Sequence, residues 1–561
     1  MIAAAGRMNS TLSAGGAFRG EALAWWILAT VAILVSAFLR WYQLGIQVVL
    51  DDEWHALNKL LAADYAGIAT SFGYADHSIP LTVYYRFLLL HGGLTEWVMH
   101  APMLAAGIAL VVVAPLLLRR ETSVSVRAIW MALLAISPLL VYHSRTARPY
   151  ALTSLLTFVA IVAFRRWWER EGPRCGAIYV ASTFLAGYLH VTTLPFTLLP
   201  FAYYVVRALA AARGNLRQCG ASLRRLAALA LVTALPLAAA LAPPFLNDWP
   251  AFSSKAGADF VTLDSAYRTS LLLFGVAQPA ALAVLALLAV YGVARCRSRN
   301  RELADYFLVV IFAGTAAIAA TQPLMIDHPL VLARYALPAL PFVLLFVAEG
   351  VAAGLDWLPM PPLRAALAAA LAALLWWLGP MPDYLYYPNQ FMGHLRFQYD
   401  YDRDKNPYTQ IAPQRVPEFY RLLAQRAPAS LTLIEAPWRI ESHFSPLPWY
   451  QEVHRQMVKI GLVTPVCGKR DFGEYPATVD GLRLHQFVHL SNVLGGKTYG
   501  ADYLVMHLAS WRTPSDVKPA WPDVAGCLLP RIEQTLGAPI YRDGEIVVFD
   551  LKAPRPAAAP R

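Results

Sequence analysis

Three consecutive carboxylates, Asp51, Asp52 and Glu53, stand in the stretch VVLDDEWHALNKLL (residues 48–61), directly after a long apolar run. Trp54, His55, Asn58 and Lys59 follow at helical spacing. A carboxylate at the rim of a membrane is partly desolvated and close to helix ends. Its pKa is therefore open to tuning, and it can act as a general base on a group arriving in or from the lipid. Taken alone, the stretch suits a solvated acidic cap equally well. Asp51 and Glu53 have the spacing of a DxD-type metal pair, but nothing else in the sequence supports a divalent metal, and no cofactor is expected.

Three further groups carry usable chemistry. YADHSIPL (74–81) supplies Asp76 and His77, HSRTARPY (143–150) supplies Arg145, Arg148 and Tyr150, and IDHPLVLARYALP (326–338) supplies Arg334 and Tyr335. A guanidinium holds a phosphate by paired hydrogen bonds while a carboxylate takes a proton from a hydroxyl. An arginine at the end of a membrane span either has such a task or snorkels to headgroups. His77 and His328 also suit the plain role of a polar helix end, and His190 is a weaker candidate.

The elements that must position these residues are membrane helices. Hydrophobic residues make up 57% of the 561 and charged ones 15%, and mean hydropathy is +0.44. That is the composition of a polytopic membrane protein. The formal charge of +11 is then read through topology, not nucleic acid, because cytoplasmic loops collect Arg and Lys. Apolar runs at 22–44, 97–118, 128–142, 150–165, 176–190, 192–210, 226–245, 270–294, 305–321, 335–355 and 363–380 give about eleven crossings, each near the 20 residues a bilayer needs. The first reads as an uncleaved signal anchor. The segment at 77–93 is too short to cross and carries Arg86, so it reads as an interfacial helix in a first loop of residues 45–95.

The arginines test this count. Arg119, Arg120 and Arg127, then Arg165, Arg166, Arg170 and Arg174, then Arg213, Arg217, Arg224 and Arg225, then Arg295, Arg297, Arg299 and Arg301, and finally Arg364, all fall on one side. With the N-terminus cytoplasmic that side is inside, so all four chemical groups are outside. A soluble α/β domain at 381–552 is also outside, followed by a low-complexity tail at 553–561. Within that domain a helix is expected at 416–427 and strands at 431–438, 502–508 and 545–551. Cys467 and Cys527 share this oxidising compartment and are candidates for a disulfide. The fold expected is mainly α, with residues 1–380 as the membrane domain.

In their order these motifs resemble the C-type glycosyltransferase superfold, in the branch of the protein O-mannosyltransferases and lipid A aminoarabinose transferases. The resemblance covers about residues 20–380. It rests on the Asp52-Glu53 pair in the first outer loop, the short helix opening at His77 to Leu81, SRTARPYAL after the third span, and ARYALPALP late in the chain. Ser78 and Ile79 replace a proline region of the family pattern, and His100 stands where the family has an arginine. The resemblance implies an integral protein of the inner membrane that uses a polyprenyl-phosphate-linked sugar. It implies transfer with inversion to a cell-envelope lipid, glycan or protein, with Asp52 as base, Asp51 as its rival and Glu53 beside them. His55, Asp76, His77, Arg145, Arg148, Tyr150, Arg334 and Tyr335 would then bind substrate. The competing reading is a transporter or flippase of a lipid-linked anion, which calls for ionisable residues near mid-span.

Overall fold

Long runs of Leu, Ala and Val fold as helices here because, in hydrocarbon, every backbone N–H and C=O must be satisfied within its own segment. A computed structural model describes residues 2–47, 49, 53, 57, 60, 63–73, 77–169, 172–213, 216–386, 415–437, 447–462, 466, 483–484, 487–508 and 524–555. The chain is a polytopic helical membrane protein with a C-terminal α/β domain. It divides into two compact units, one of Met1–Tyr42, Ala66–Leu81 and His100–Met381, the other of Gln43–Tyr65, Thr82–Met99 and Pro382–Arg561.

In the first unit, nine helices among the described residues are long and apolar enough to cross a membrane. A bent pair, Val124–Ile136 and Pro138–Ser144, makes a tenth, with 58° between its halves. The helix Pro173–Leu189, of 17 residues, occupies the expected span at 176–190. The bent pair replaces the single span expected at 128–142, and a second run is divided outright. The apolar run at 270–294 is two helices, Leu263–Phe274 and Pro279–Arg299. Gly275, at φ 71°, ends the first as a left-handed C-cap, and proline at the start of the next cannot continue the ladder.

Close approach of backbones fixes the tightest helix pair. A Cβ on Gly292 would lie 1.8 Å from the Phe346 carbonyl oxygen, and one on Gly350 would lie 1.9 Å from that of Leu288. These two glycines let Pro279–Arg299 lie directly against the span Pro329–Leu355, the small-residue packing that substitutes for a hydrophobic drive inside lipid.

The second unit contains a six-stranded sheet in the order β3-β2-β1-β4-β6-β5. Its strands are β1 (Thr432–Ala436), β2 (Met457–Leu462), β3 (Phe487–His489), β4 (Tyr503–His507), β5 (Tyr541–Arg542) and β6 (Ile546–Asp550). β1 pairs in parallel with both β2 and β4, whereas β6 runs antiparallel to β4. The three expected strands are all present, and the expected helix at 416–427 is Glu418–Leu423.

Alternation sends Ile434, Ala436, Leu504, Met506, Val547 and Phe549 to one face, where they pack with Leu528 and Ile532. Glu435 belongs to the other face. It accepts the Tyr420 hydroxyl at 3.0–3.1 Å and lies 2.7 Å from His507 Nε2. Cys527 is disulfide-bonded; Cys467, its expected partner, lies outside the described residues.

The first-loop part of this unit includes residues 82–91 of the 13-residue helix Ile79–His91. At 1.5 Å per residue it is about 20 Å long, short of a bilayer's hydrocarbon. Tyr84 Oη donates to the Val98 carbonyl at 2.6 Å, and Arg86 donates to the Leu60 carbonyl. The Arg483 backbone N–H donates to the Leu94 carbonyl at 2.9 Å.

Candidate anion-binding site

The site begins with a broken helix. Pro138 has no N–H to give and ends the ladder of Val124–Ile136, leaving carbonyls that need donors from elsewhere. Arg40, fully buried on the first span, supplies them. Its guanidinium donates to the carbonyls of Ala135 at 3.1 Å and Leu134 at 3.4 Å, and to the hydroxyls of Ser36 at 2.9 Å and Ser144 at 3.2 Å. Gly107 makes room, since a Cβ there would lie 1.9 Å from Ser144 Oγ and 2.9 Å from Arg40 Nε.

Arg145 performs the reciprocal service. Its Nη1 donates to the carbonyls of Leu39 at 2.8 Å, Arg40 at 3.4 Å and Tyr42 at 2.7 Å. These are carbonyls at the end of the helix Ile2–Trp41. The residues from His143 to Tyr150 are all buried, so this turn is held by its own arginine. The next helix, Tyr150–Trp168, opens after Pro149.

Around that opening the structure gathers residues from several distant segments. Arg334, on the helix Pro329–Ala336, sits 5.3 Å from the ring centres of both Tyr150 and Tyr335. His143 and His190 meet the Tyr150 ring at 5.0 and 5.5 Å, and His190 lies 6.1 Å from Tyr335. His190 is pinned at the end of Pro173–Leu189 by a 2.6 Å contact between its Nδ1 and Thr192 Oγ1. Its pKa is held well below the ordinary histidine value, first by burial and then by Arg148, His77, Arg334 and Lys255.

His77 takes a left-handed backbone, φ 60°, and stacks on Phe72 at 5.8 Å. Burial, then Lys255, lowers its pKa to about 4, with Asp248 opposing. Asp248 accepts from Ser71 Oγ at 2.5 Å and from the Gly73 N–H at 2.8 Å. Burial alone would raise its pKa; the hydrogen bonds from Ser71, Gly73 and Ala251 outweigh that and hold it below the usual carboxylate value.

The sequence-derived candidates therefore divide. His77, Arg148, Tyr150, Arg334 and Tyr335 come together, and Arg145 braces the turn beneath them. His190 was legible as a histidine at a span end. Lys255 and Asp248 carried no signal beyond being polar in a loop. Asp51, Asp52, His55 and Asp76 lie outside the described residues. Glu53 belongs to the second unit and is 1% exposed. There the Tyr85 hydroxyl has its pKa raised well above the ordinary value, by burial and then by Glu53. Among the described residues no three His, Cys, Asp or Glu side chains are grouped so as to hold a metal ion.

Such a cluster of cations, walled by tyrosine rings and set at the ends of apolar helices, suits an anion delivered on a lipid. No protein-family model matches the sequence, and no curated protein does. Solved structures of similar arrangement include ArnT from Cupriavidus metallidurans in the apo state, 15% identical over 96% of this chain and 100% of that one, with TM-score 0.45. ArnT bound to undecaprenyl phosphate is 13% identical over 94% of this chain and 98% of that one, with TM-score 0.44. The apo oligosaccharyltransferase of Archaeoglobus fulgidus is 14% identical over 86% of this chain and 69% of that one, with TM-score 0.40. At such scores the likeness is one of general chain arrangement, and no residue role is taken from it.

Proposed function

We propose that this protein is an inverting membrane glycosyltransferase that moves a sugar from a polyprenyl-phosphate donor to a hydroxyl or phosphate of an extracytoplasmic acceptor. The observation that carries this reading is Arg334 lying 5.3 Å from the ring centres of both Tyr150 and Tyr335, with His190 at 5.5 and 6.1 Å from the same two rings. In this reading Arg148 and Arg334 hold the donor phosphate. Charge grows on that phosphate as the glycosidic bond breaks, and cations already in place stabilise it without reorganising. Asp52 takes the acceptor's proton as its oxygen attacks the anomeric carbon from the face opposite the lipid phosphate. Asp51 is its rival for that role, since adjacent carboxylates raise one another's pKa. Arg145 acts by holding the turn that presents Arg148 and Tyr150.

The test is transfer of label from polyprenyl-phosphate sugars in membranes carrying the native protein or Asp52→Asn. The amide keeps the size of the acid but accepts no proton, so turnover should fall about 100-fold or more with donor binding kept. Near-normal turnover in Asp52→Asn beside an inactive Asp51→Asn moves the base by one residue. Near-normal turnover in both ends the mechanism. Label that crosses the membrane without product would favour the transporter reading.

A further inference from the structure

At the ends of the spans Glu96–Leu117 and Tyr150–Trp168 lies a cavity of about 410 Å³, at the other end of the helix that opens with Tyr150. Val113, Leu116 and Leu117 line it together with Arg119, Arg120 and Arg166. The turn carrying Arg119 is fixed by Arg127, which donates to the carbonyls of Arg119 at 2.9 Å and Thr122 at 2.6 Å. Arg166 reaches across to the Leu117 carbonyl, tying the two span ends together. Among the described residues Glu121 and Glu169 pair with Arg165 at 3.1 and 2.7 Å. Among the described residues the lining contains no carboxylate, so the cavity joins three guanidiniums to apolar side chains.

We propose that this cavity binds an anionic phospholipid of the membrane, with its phosphate against Arg119, Arg120 and Arg166 and an acyl chain along Val113, Leu116 and Leu117. Both kinds of lining residue are needed to reach that class of ligand. A soluble anion would leave the exposed Leu116 (54% exposed) without purpose, and a zwitterionic headgroup would bring its own cation to three guanidiniums. Basic pockets between helix ends at headgroup depth recognise anionic lipids by this combination. The lipid would clamp the same two helix ends that Arg166 joins.

The experiment uses purified full-length protein in nanodiscs of phosphatidylcholine, with or without phosphatidylglycerol. Bound lipid is counted by native mass spectrometry and the melting temperature is recorded. Native protein should retain phosphatidylglycerol and melt higher in its presence. Arg119→Gln/Arg120→Gln, at two exposed positions, should lose retention by about tenfold or more and lose the shift. Leu116→Asn, which keeps every arginine, should weaken retention as well, and it serves should the double variant fold poorly. Retention equal to native in both variants overturns the proposal. So does an equal melting shift with inorganic phosphate alone, which would make the occupant a soluble anion.

Discussion

Two arginines of similar sequence setting have different work. Arg145 spends its Nη1 on three backbone carbonyls at the end of the first long helix. Arg334 instead lies over the faces of two tyrosines, a cation–π arrangement that fixes the guanidinium's place. Arg145→Ala leaves buried carbonyls without their donor, at about 1–3 kcal/mol for each group left unsatisfied. The melting temperature of the purified protein should therefore drop markedly. Arg334→Ala should leave melting nearly unchanged while weakening binding of a polyprenyl phosphate by tenfold or more, read by titration in detergent. Arg334→Lys should recover little, because an ammonium lacks the planar fork that pairs with phosphate oxygens. A reversed pattern, with Arg145→Ala stable and Arg334→Ala unfolded, would exchange the two roles.

Elements in this protein are specified by the residues that lack something: a side chain, an N–H or a partner. Gly350→Leu would push a branched side chain into the Leu288 backbone. Overpacking costs about 1–3 kcal/mol even where side chains can yield, and here the obstacle is backbone. The predicted result is a large drop in melting temperature, with Gly354→Leu, where no atom lies within 4 Å of a Cβ, as the nearly neutral control.

In the C-terminal domain, His454 is buried and its Nδ1 accepts the Gln456 N–H at 2.9 Å. Burial lowers its pKa to about 3. The unfolded chain, near the ordinary 6.5, binds a proton that the folded domain refuses. Its contribution to stability is therefore full above about pH 6.5 and is lost as pH falls from there toward 3, by about 1.4 kcal/mol per unit. His454→Asn, whose oxygen can accept the same N–H, should flatten that slope. Hydrogen exchange of β1 and β4 in the full-length protein between pH 7 and 5 would measure it, and an unchanged slope would assign the pH dependence to other groups.

For the whole molecule the decisive quantity is sidedness. The arginine-rich ends should face the cytoplasm, because positive loops are retained there. Reporter fusions after residues 120, 170, 220 and 300 should report the cytoplasm, and fusions at 145 and 400 the outside. If 120 and 145 report the same side, Ile79–His91 is not the interfacial helix that this topology requires. The assignment of the carboxylates and the anion site to an outer face would then fail together.

The sequence by itself determined the class of fold, because hydrophobic length and charge placement act locally and need no knowledge of neighbours. The helices at 97–118 and 305–321, the short helical segment within 77–93 and the three strands of the C-terminal domain were all legible from period and length. Gly275 and Pro138 mark a divided run and a broken helix that apolar length alone passes over. Only the tertiary structure decided which polar residues meet. His190, at a helix end, and Lys255, in a loop, act on the same neighbourhood as Arg148 and the helix-borne Arg334, from segments scattered along the chain. Nothing in the local pattern of any one segment encodes the others, because what brings them together is the packing of helices far apart in the chain. The same holds for Arg145, whose charge in sequence suggests a ligand and whose place in the fold is against the carbonyls at the end of another helix.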